Sequence, residues 1–216
     1  MVKKFILSLL VLCGIESFAQ KVSGSIDGHD YVDLCLPSGL KWAASNVGAV
    51  RSEDYGDYFA WGEVAPKDEY TKDNSFTSGK SLEDLLSEGV IDEAGNLTSQ
   101  YDAATQLWGQ KWRMPSYSDF IELLENCVWQ STTLNGVQGY KVSSRVNDKW
   151  IFLPAAGGCN GLSSYDMITR GYYWSSSAYE IAGVSAYLLD IGVTNRHMGY
   201  RNRYYGRSVR AVTTAE

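Results

Sequence analysis

The residues able to carry bond-making chemistry are few and scattered. The two histidines, His29 and His197, stand far apart with no second ligand at helical or loop spacing, so neither a zinc site nor a Ser-His-Asp hydrolase has its imidazole positioned by a partner. Each is read as a surface or loop histidine. Asp54, Asp57 and Glu63 lie in the aromatic stretch "DYGDYFAWGE", where paired carboxylates could serve glycoside hydrolysis, although acid-rich turns read the same way. "AAGGCNG" follows a strand ending in Pro154 and leads into Ser and Tyr. It reads as a tight loop, not a phosphate cradle.

The thiols fit no metal knot. Cys35, in the alternating "YVDLCL", and Cys127, on the apolar side of a helix, read as buried thiols, while Cys159 in a Gly-Gly loop is the thiol to watch. Beyond residue 19 the cysteines number three, odd for an oxidising compartment, and one disulfide plus a spare thiol stays open.

Compartment is written at the start. Lys3 and Lys4, the apolar run "FILSLLVLCGI" and Ser17-Phe18-Ala19 compose a secretory signal over residues 1–19, cut before Gln20. The run is too short for a bilayer span, which takes about 20 residues, and Leu12 before Cys13 argues against lipid attachment. The expected product is secreted, periplasmic or on the cell surface, as one domain over residues 20–216. Its net charge, −7 after loss of Lys3, Lys4 and Glu16 from a chain of −6, disfavours nucleic acid and anionic membranes, and no membrane insertion is expected.

The elements that position these groups are punctuated clearly. "YVDLCLPSGLKWAASNVGA" gives a strand near Tyr31 to Leu36, a Pro-Ser-Gly stop, and a second strand from Leu40 to Ala44. Residues 67–99 turn polar and acidic, with only "SLEDLLSEG" periodic enough for a short helix, and read as a surface excursion. Asp102 caps one helix whose apolar face is Ala103, Ala104, Leu107 and Trp108, stopped by Gly109. Ser116 and Asp119 form a capping box for another, with Phe120, Ile121, Leu124, Cys127 and Val128 at helical spacing. After Trp129 the period becomes two: "GYKVSSRV" and "KWIFLP" flank Asn147-Asp148 as a hairpin, and "GYYWSSS", "VSAYLLDIG" and "RSVRAV" give three further strands. The order predicts an α+β domain with a mainly antiparallel sheet.

"VDLCLPSGLKWAASNVGA", "DYGDYFAWGE", "DAATQLWGQKWRMPSYSDFIELLENCVW", "NGVQGYKVSS", "IFLPAAG", "GYYWSSS" and "NRYYGRSVRAV" together resemble the Fibrobacter succinogenes major paralogous domain, a family of secreted bacterial proteins. The resemblance implies a C-type lectin-like fold: terminal strands paired with each other so that Tyr31 to Leu36 lies beside "SVRAV", two helices packed on them, and a second small sheet carrying long loops. Trp42, Trp112, Trp129, Trp150 and Trp174 would fill its core. "WRMPSYSDFIELL" is also similar to the formylglycine-generating enzymes, but the late cysteine pair their copper chemistry needs has no counterpart after Cys159. Calcium-dependent lectins of this fold use an acid or amide before proline plus an Asn-Asp pair. Asn147-Asp148 lacks the proline motif and is read as a turn, so no metal or cofactor is expected.

In that fold the exposed face lies between the hairpin after Asn147 and the last strand. It carries Tyr165, Asp166, Tyr179, Glu180, Tyr187, Asp190, Asn195, His197, Tyr200, Arg201 and Asn202, a mixture of broad aromatic contact and directional hydrogen bonding that suits a glycan or a cell-surface protein. Arg203, Tyr204, Tyr205, Gly206 and Arg207 read as framework. The expected function is recognition without catalysis; a structural or adhesion role in the cell envelope, or a glycosidase or oxidase relative, are the rival readings.

Overall fold

A computed structural model describes residues 20–181 and 183–215, so the signal expected over residues 1–19 lies outside the described residues. The chain begins with Gly24–Ile26 (β1), His29–Asp33 (β2) and Lys41–Ala43 (β3), continues through the helices Leu82–Ser87 (α1), Ala103–Trp108 (α2) and Tyr117–Asn126 (α3), and then becomes all strand: Cys127–Leu134 (β4), Val137–Ser144 (β5), Trp150–Pro154 (β6), Gly158–Asn160 (β7), Ser163–Tyr165 (β8), Arg170–Ala178 (β9), Ser185–Gly192 (β10), Arg196–Asn202 (β11) and Val212–Thr213 (β12). The strands pair antiparallel as β1-β2-β3-β12, β11-β10-β9, β4-β5-β6 and β7-β8. The architecture is α+β and sheet-rich.

The helix starts follow their sequence signals. Ser81 and Ser116 each accept the third helical N–H while Asp84 and Asp119 bond back to the cap, and Asp102 accepts from Thr105 N at 2.9 Å. Gly109 ends α2 at φ 97°, a conformation that costs a residue with a Cβ.

The hairpins follow turn chemistry, with one unforeseen. Asn135 and Gly136, at φ 48° and 86°, form the two-residue turn of β4 and β5, the pairing the Asn-Gly dipeptide favours. Asn147 and Asp148 do join β5 to β6, but neither takes positive φ. Instead Asn147 Oδ1 accepts Lys149 N at 2.9 Å and its amide donates to Asp33 O at 3.0 Å.

Several expectations are corrected. β12 pairs with β3, not with the strand at Tyr31, so the chain ends share a sheet without touching as neighbours. That strand stops at Asp33, because Cys35 turns the chain at φ 52°; its thiol is exposed, not buried. Most of "RSVRAV" is a connector, with Arg207 bridging Phe59 and Ser208 bridging Tyr173. Leu107 and Val128 are 48% and 49% exposed: the buried side of α3 is Phe120, Leu123 and then Cys127, and the chain leaves the helix before Val128. Trp129 is only half-buried, whereas Trp42, Trp112, Trp150 and Trp174 are buried as expected. Residues 67–99 are mostly exposed, as expected of a surface excursion, but they are anchored by Tyr70, Thr77, Leu85, Val90, Ile91 and Leu97, which are buried.

The core has two halves on either side of β9 and β10. Trp174 and Leu188 join one half with Trp61 and Trp112, whereas Tyr173, Leu189 and Ile191 join the other with Trp42 and Phe120. Alternate residues of a strand point to opposite faces, so a strand buried on both reads as the nearly continuous apolar run "SAYLLDIG".

Three arginines lie buried within the frame. Arg203, Arg207 and Arg210 are fully buried. Arg210 donates to Asn46 Oδ1, Ala43 O and Phe152 O at 2.9, 3.0 and 2.8 Å, joining the first sheet to β6. Burial lowers its pKa to about 10, which leaves it charged at neutral pH. Arg207 stacks on Tyr172, Tyr165 and Tyr205 at 4.4, 5.0 and 5.0 Å and donates to the Tyr165 hydroxyl. These contacts suit the framework role expected for the segment from Arg203 to Arg207.

Candidate functional site

The sheet β11-β10-β9 carries Tyr187, Asp190, His197, Tyr200, Arg201 and Asn202 of the expected recognition residues, but alternation sorts them onto two opposite faces. Tyr187 of β10 lies directly opposite Tyr200 of β11, and Ser185 opposite Asn202. The neighbouring pairs, Ala186 with Arg201 and Asp190 with His197, point to the other side. One strip of sequence therefore makes two surfaces.

The first surface is aromatic. Tyr179 stacks on Tyr200 with ring centroids 4.0 Å apart, and meets Tyr187 edge-on at 5.0 Å. Tyr117, at the start of α3, packs on Tyr187 at 4.5 Å. Tyr200 is 48% exposed, while Tyr117, Tyr179 and Tyr187 are half-buried, so the cluster is a fixed platform with one open ring. Its base is wired: Ser177 Oγ accepts Tyr117 N at 2.9 Å and bonds to Asn96 Oδ1 at 2.6 Å, which fixes the start of α3 to β9 and to the loop at Asn96. Asn202 and Ser185 stand at its end with their oxygens 3.4 Å apart. Burial, then Tyr117, then the charge of Glu180 raise the pKa of the Tyr187 hydroxyl, so the phenol is a neutral donor at physiological pH.

The second surface is a closed ionic network. Asp190 is 2% exposed, and its Oδ1 accepts Arg170 Nε and Nη2 at 3.0 and 2.6 Å, with Arg201 Nη2 3.8 Å from its other oxygen. The Asp190 carboxylate holds the Arg170 guanidinium above its usual pKa, against the opposing effect of burial. Asp166, in the left-handed region at φ 57°, accepts the Tyr172 hydroxyl at 2.6 Å. Burial is the main reason the Tyr172 phenol is pushed far up.

Asp190 is therefore a structural member of this network, a correction to its place on a ligand-binding face, whereas Asp166 stays exposed and Tyr165 is half-buried against Arg207. Asn195 and His197 are exposed near the turn between β10 and β11 and line an open groove of about 610 Å³ with Leu124, Glu125 and Arg196. They stand apart from the tyrosines.

Tyr117 was not expected. It sits in the capping motif of α3, and nothing in local spacing ties position 117 to position 187; only the packing of α3 on β10 brings them together.

The remaining groups are committed elsewhere. Asp54 pairs with Arg51 at 2.8 Å, and Glu63 pairs with Lys67 at 2.8 Å while accepting Phe76 N. Cys159 is half-buried with Sγ 3.7 Å from Ser164 Oγ, and burial pushes its thiol up, away from the nucleophilic thiolate. Among the described residues no group of three or more His, Cys, Asp or Glu converges as for a metal ion, and no helix is long and apolar enough to cross a membrane.

Comparison with known proteins returns nothing: no family model, curated protein or solved structure matches the chain.

Proposed function

We propose that this chain is a secreted recognition module of C-type lectin-like fold, related to the Fibrobacter succinogenes major paralogous domain, that binds a glycan without transforming it. The observation carrying the reading is the tyrosine platform: Tyr179 and Tyr187 hold Tyr200 in place, and Tyr200 presents its ring to solvent. The C–H face of a sugar ring packs on such an aromatic surface. The hydroxyl of Tyr187, the amide of Asn202 and the carboxylate of Glu180 supply the directional bonds that select among sugars. Tyrosine has few rotors to freeze, and here its neighbours have already frozen them, which lowers the entropy cost of association.

The site so proposed comprises Tyr117, Tyr179, Glu180, Tyr187, Tyr200 and Asn202, with buried Ser185 behind Asn202. A glycan-array screen of the purified protein, followed by calorimetry on the best ligand, tests it. Tyr200→Ala should weaken binding roughly tenfold or more, equivalent to about 1.4 kcal/mol. His197→Ala, on the other surface, should leave affinity unchanged. Binding that survives Tyr200→Ala and vanishes with His197→Ala would move the site to the opposite face.

A further inference from the structure

Sheet edges offer unpaired N–H and C=O groups to any strand of matching register, and folded proteins blunt them with charge, proline, brevity or cover. Most edges here are blunted. β11 carries Arg196, His197 and Arg201; β6 is wholly buried and ends in Pro154; β1 and β12 are three and two residues long. The outer side of β9 is occupied, with Trp174 N bonded to Ser208 O and Ser176 N to Pro115 O.

β4 is different. It lies at the edge of its sheet and runs eight residues, "CVWQSTTL", with no charge, proline or glycine. Its outward groups follow from the hairpin. In a two-residue turn with both residues at positive φ, the flanking pair, here Leu134 and Val137, exchanges both hydrogen bonds, so the even-numbered residues of β4 face β5. The odd-numbered ones, Trp129, Ser131 and Thr133, turn their N–H and C=O outward. Two contacts agree with this parity: Gln138 O on the far side of β5 accepts Ala155 N at 2.9 Å, and the outward carbonyl of Cys127 accepts Arg145 Nη2 at 3.3 Å.

We propose that β4 pairs antiparallel with β4 of a second copy of this chain about a two-fold axis at Ser131. The strand is self-complementary in that register. Ser131 meets its own counterpart and Trp129 meets Thr133 of the partner copy, each as a pair that exchanges two hydrogen bonds. Between them the closer non-bonded pairs set Val128 against Leu134 of the partner copy and Gln130 against Thr132 of the partner copy. Val128, 49% exposed in the single chain, gains an apolar neighbour, and no like charges are opposed. The same antiparallel arrangement of β11 would set Arg201 against His197 and gain no such match. The result is a continuous six-stranded sheet across two copies, an isologous contact that closes at the dimer.

Sedimentation velocity of the purified protein from about 1 µM to about 1 mM covers the affinities expected of a strand pair. The expected result is a monomer–dimer equilibrium in the micromolar to submillimolar range, with slowed exchange of the Trp129, Ser131 and Thr133 amides as concentration rises. Ser131→Pro removes the central outward donor without touching the ladder to β5, and should weaken the dimer at least tenfold; Ser131→Lys, which opposes two like charges, should do the same should the proline variant not fold. A protein monomeric at about 1 mM, a dimer indifferent to both substitutions, or protection on β11 instead would each overturn the proposal.

Discussion

Tyr179 and Tyr200 lie within 6° of parallel, although one follows the end of β9 and the other sits on β11, with β10 between their strands. Each ring limits the other's rotamers, and Tyr187 closes the group edge-on. A stacked pair contributes about 0.5–1.5 kcal/mol beyond its burial. Tyr179→Ala should therefore lower both the affinity for the glycan and the unfolding free energy, the latter by about 1 kcal/mol. Combined with Tyr200→Ala, the two losses of affinity should sum to less than their separate values in a double-mutant cycle, because the second ring is no longer held once the first is gone. Strict additivity would mean that the stack does not organise the surface.

Arg210 should be among the most sensitive residues in the chain. Arg210→Met leaves two buried carbonyls, Ala43 O and Phe152 O, and the Asn46 side chain without their donor. Each orphaned group costs about 1–3 kcal/mol, partly offset because a buried charge is removed, so a net loss of about 3 kcal/mol is expected in urea unfolding. Arg210→Lys retains the charge but cannot span three acceptors, and should lose nearly as much.

Leu85 separates a surface excursion from a packed one. It is fully buried although it lies in the most acidic part of the chain. Leu85→Ala should cost about 2–5 kcal/mol, as in a core, and not the few tenths expected of a surface helix. Thermal unfolding of the variant decides between them.

Asp190→Asn tests whether this carboxylate belongs to the frame. The substitution leaves Arg170 without the charge that holds it. A stability loss of about 2–3 kcal/mol is expected, with glycan affinity unchanged at temperatures where the variant stays folded.

His29 gives the fold a dependence on pH. Its ring stacks on Trp108 at 4.0 Å, and desolvation lowers its pKa below 6.5 despite the opposing influence of Asp27 and Asp30. The unfolded chain then takes up a proton before the folded one. Stability from this group is complete above pH 6.5 and is lost as pH falls through that value toward the folded pKa. His29→Gln should flatten that part of the stability curve, and an NMR titration of His29 should give a midpoint under 6.5. A midpoint at or above it contradicts the assignment.

How far the sequence could be read depended on whether the governing interaction was local. The capping box at Ser116, the Asp102 cap, the Gly109 stop and the strands β9 and β10 follow from neighbours a few residues apart, and each was legible. The sharp turn at Cys35 was not: alternation extends through "YVDLCL", but a single left-handed residue ends the strand. The anchoring of residues 67–99 was not legible because Tyr70 and Thr77 are isolated among polar residues and show no period.

The site was half legible for a related reason. Composition marks the stretch from Tyr165 to Asn202 as rich in recognition residues, but which face each takes depends on the register of β10 with β11. Register lets Tyr187 and Tyr200 meet, and it sends Asp190 beneath Arg170. Asn135-Gly136, by contrast, marks the turn between β4 and β5 by local chemistry alone.

The Arg210 bridge has a consequence for the order of events during synthesis. Because β12 and the residues just before it complete the sheet begun near Gly24, and because Arg210 spans from Ala43 to Phe152, a chain still tethered to the ribosome by its last few dozen residues lacks a piece that locks its opening segment. The segment made first thus waits for one made much later, so this frame sets as a whole and not from its beginning onward.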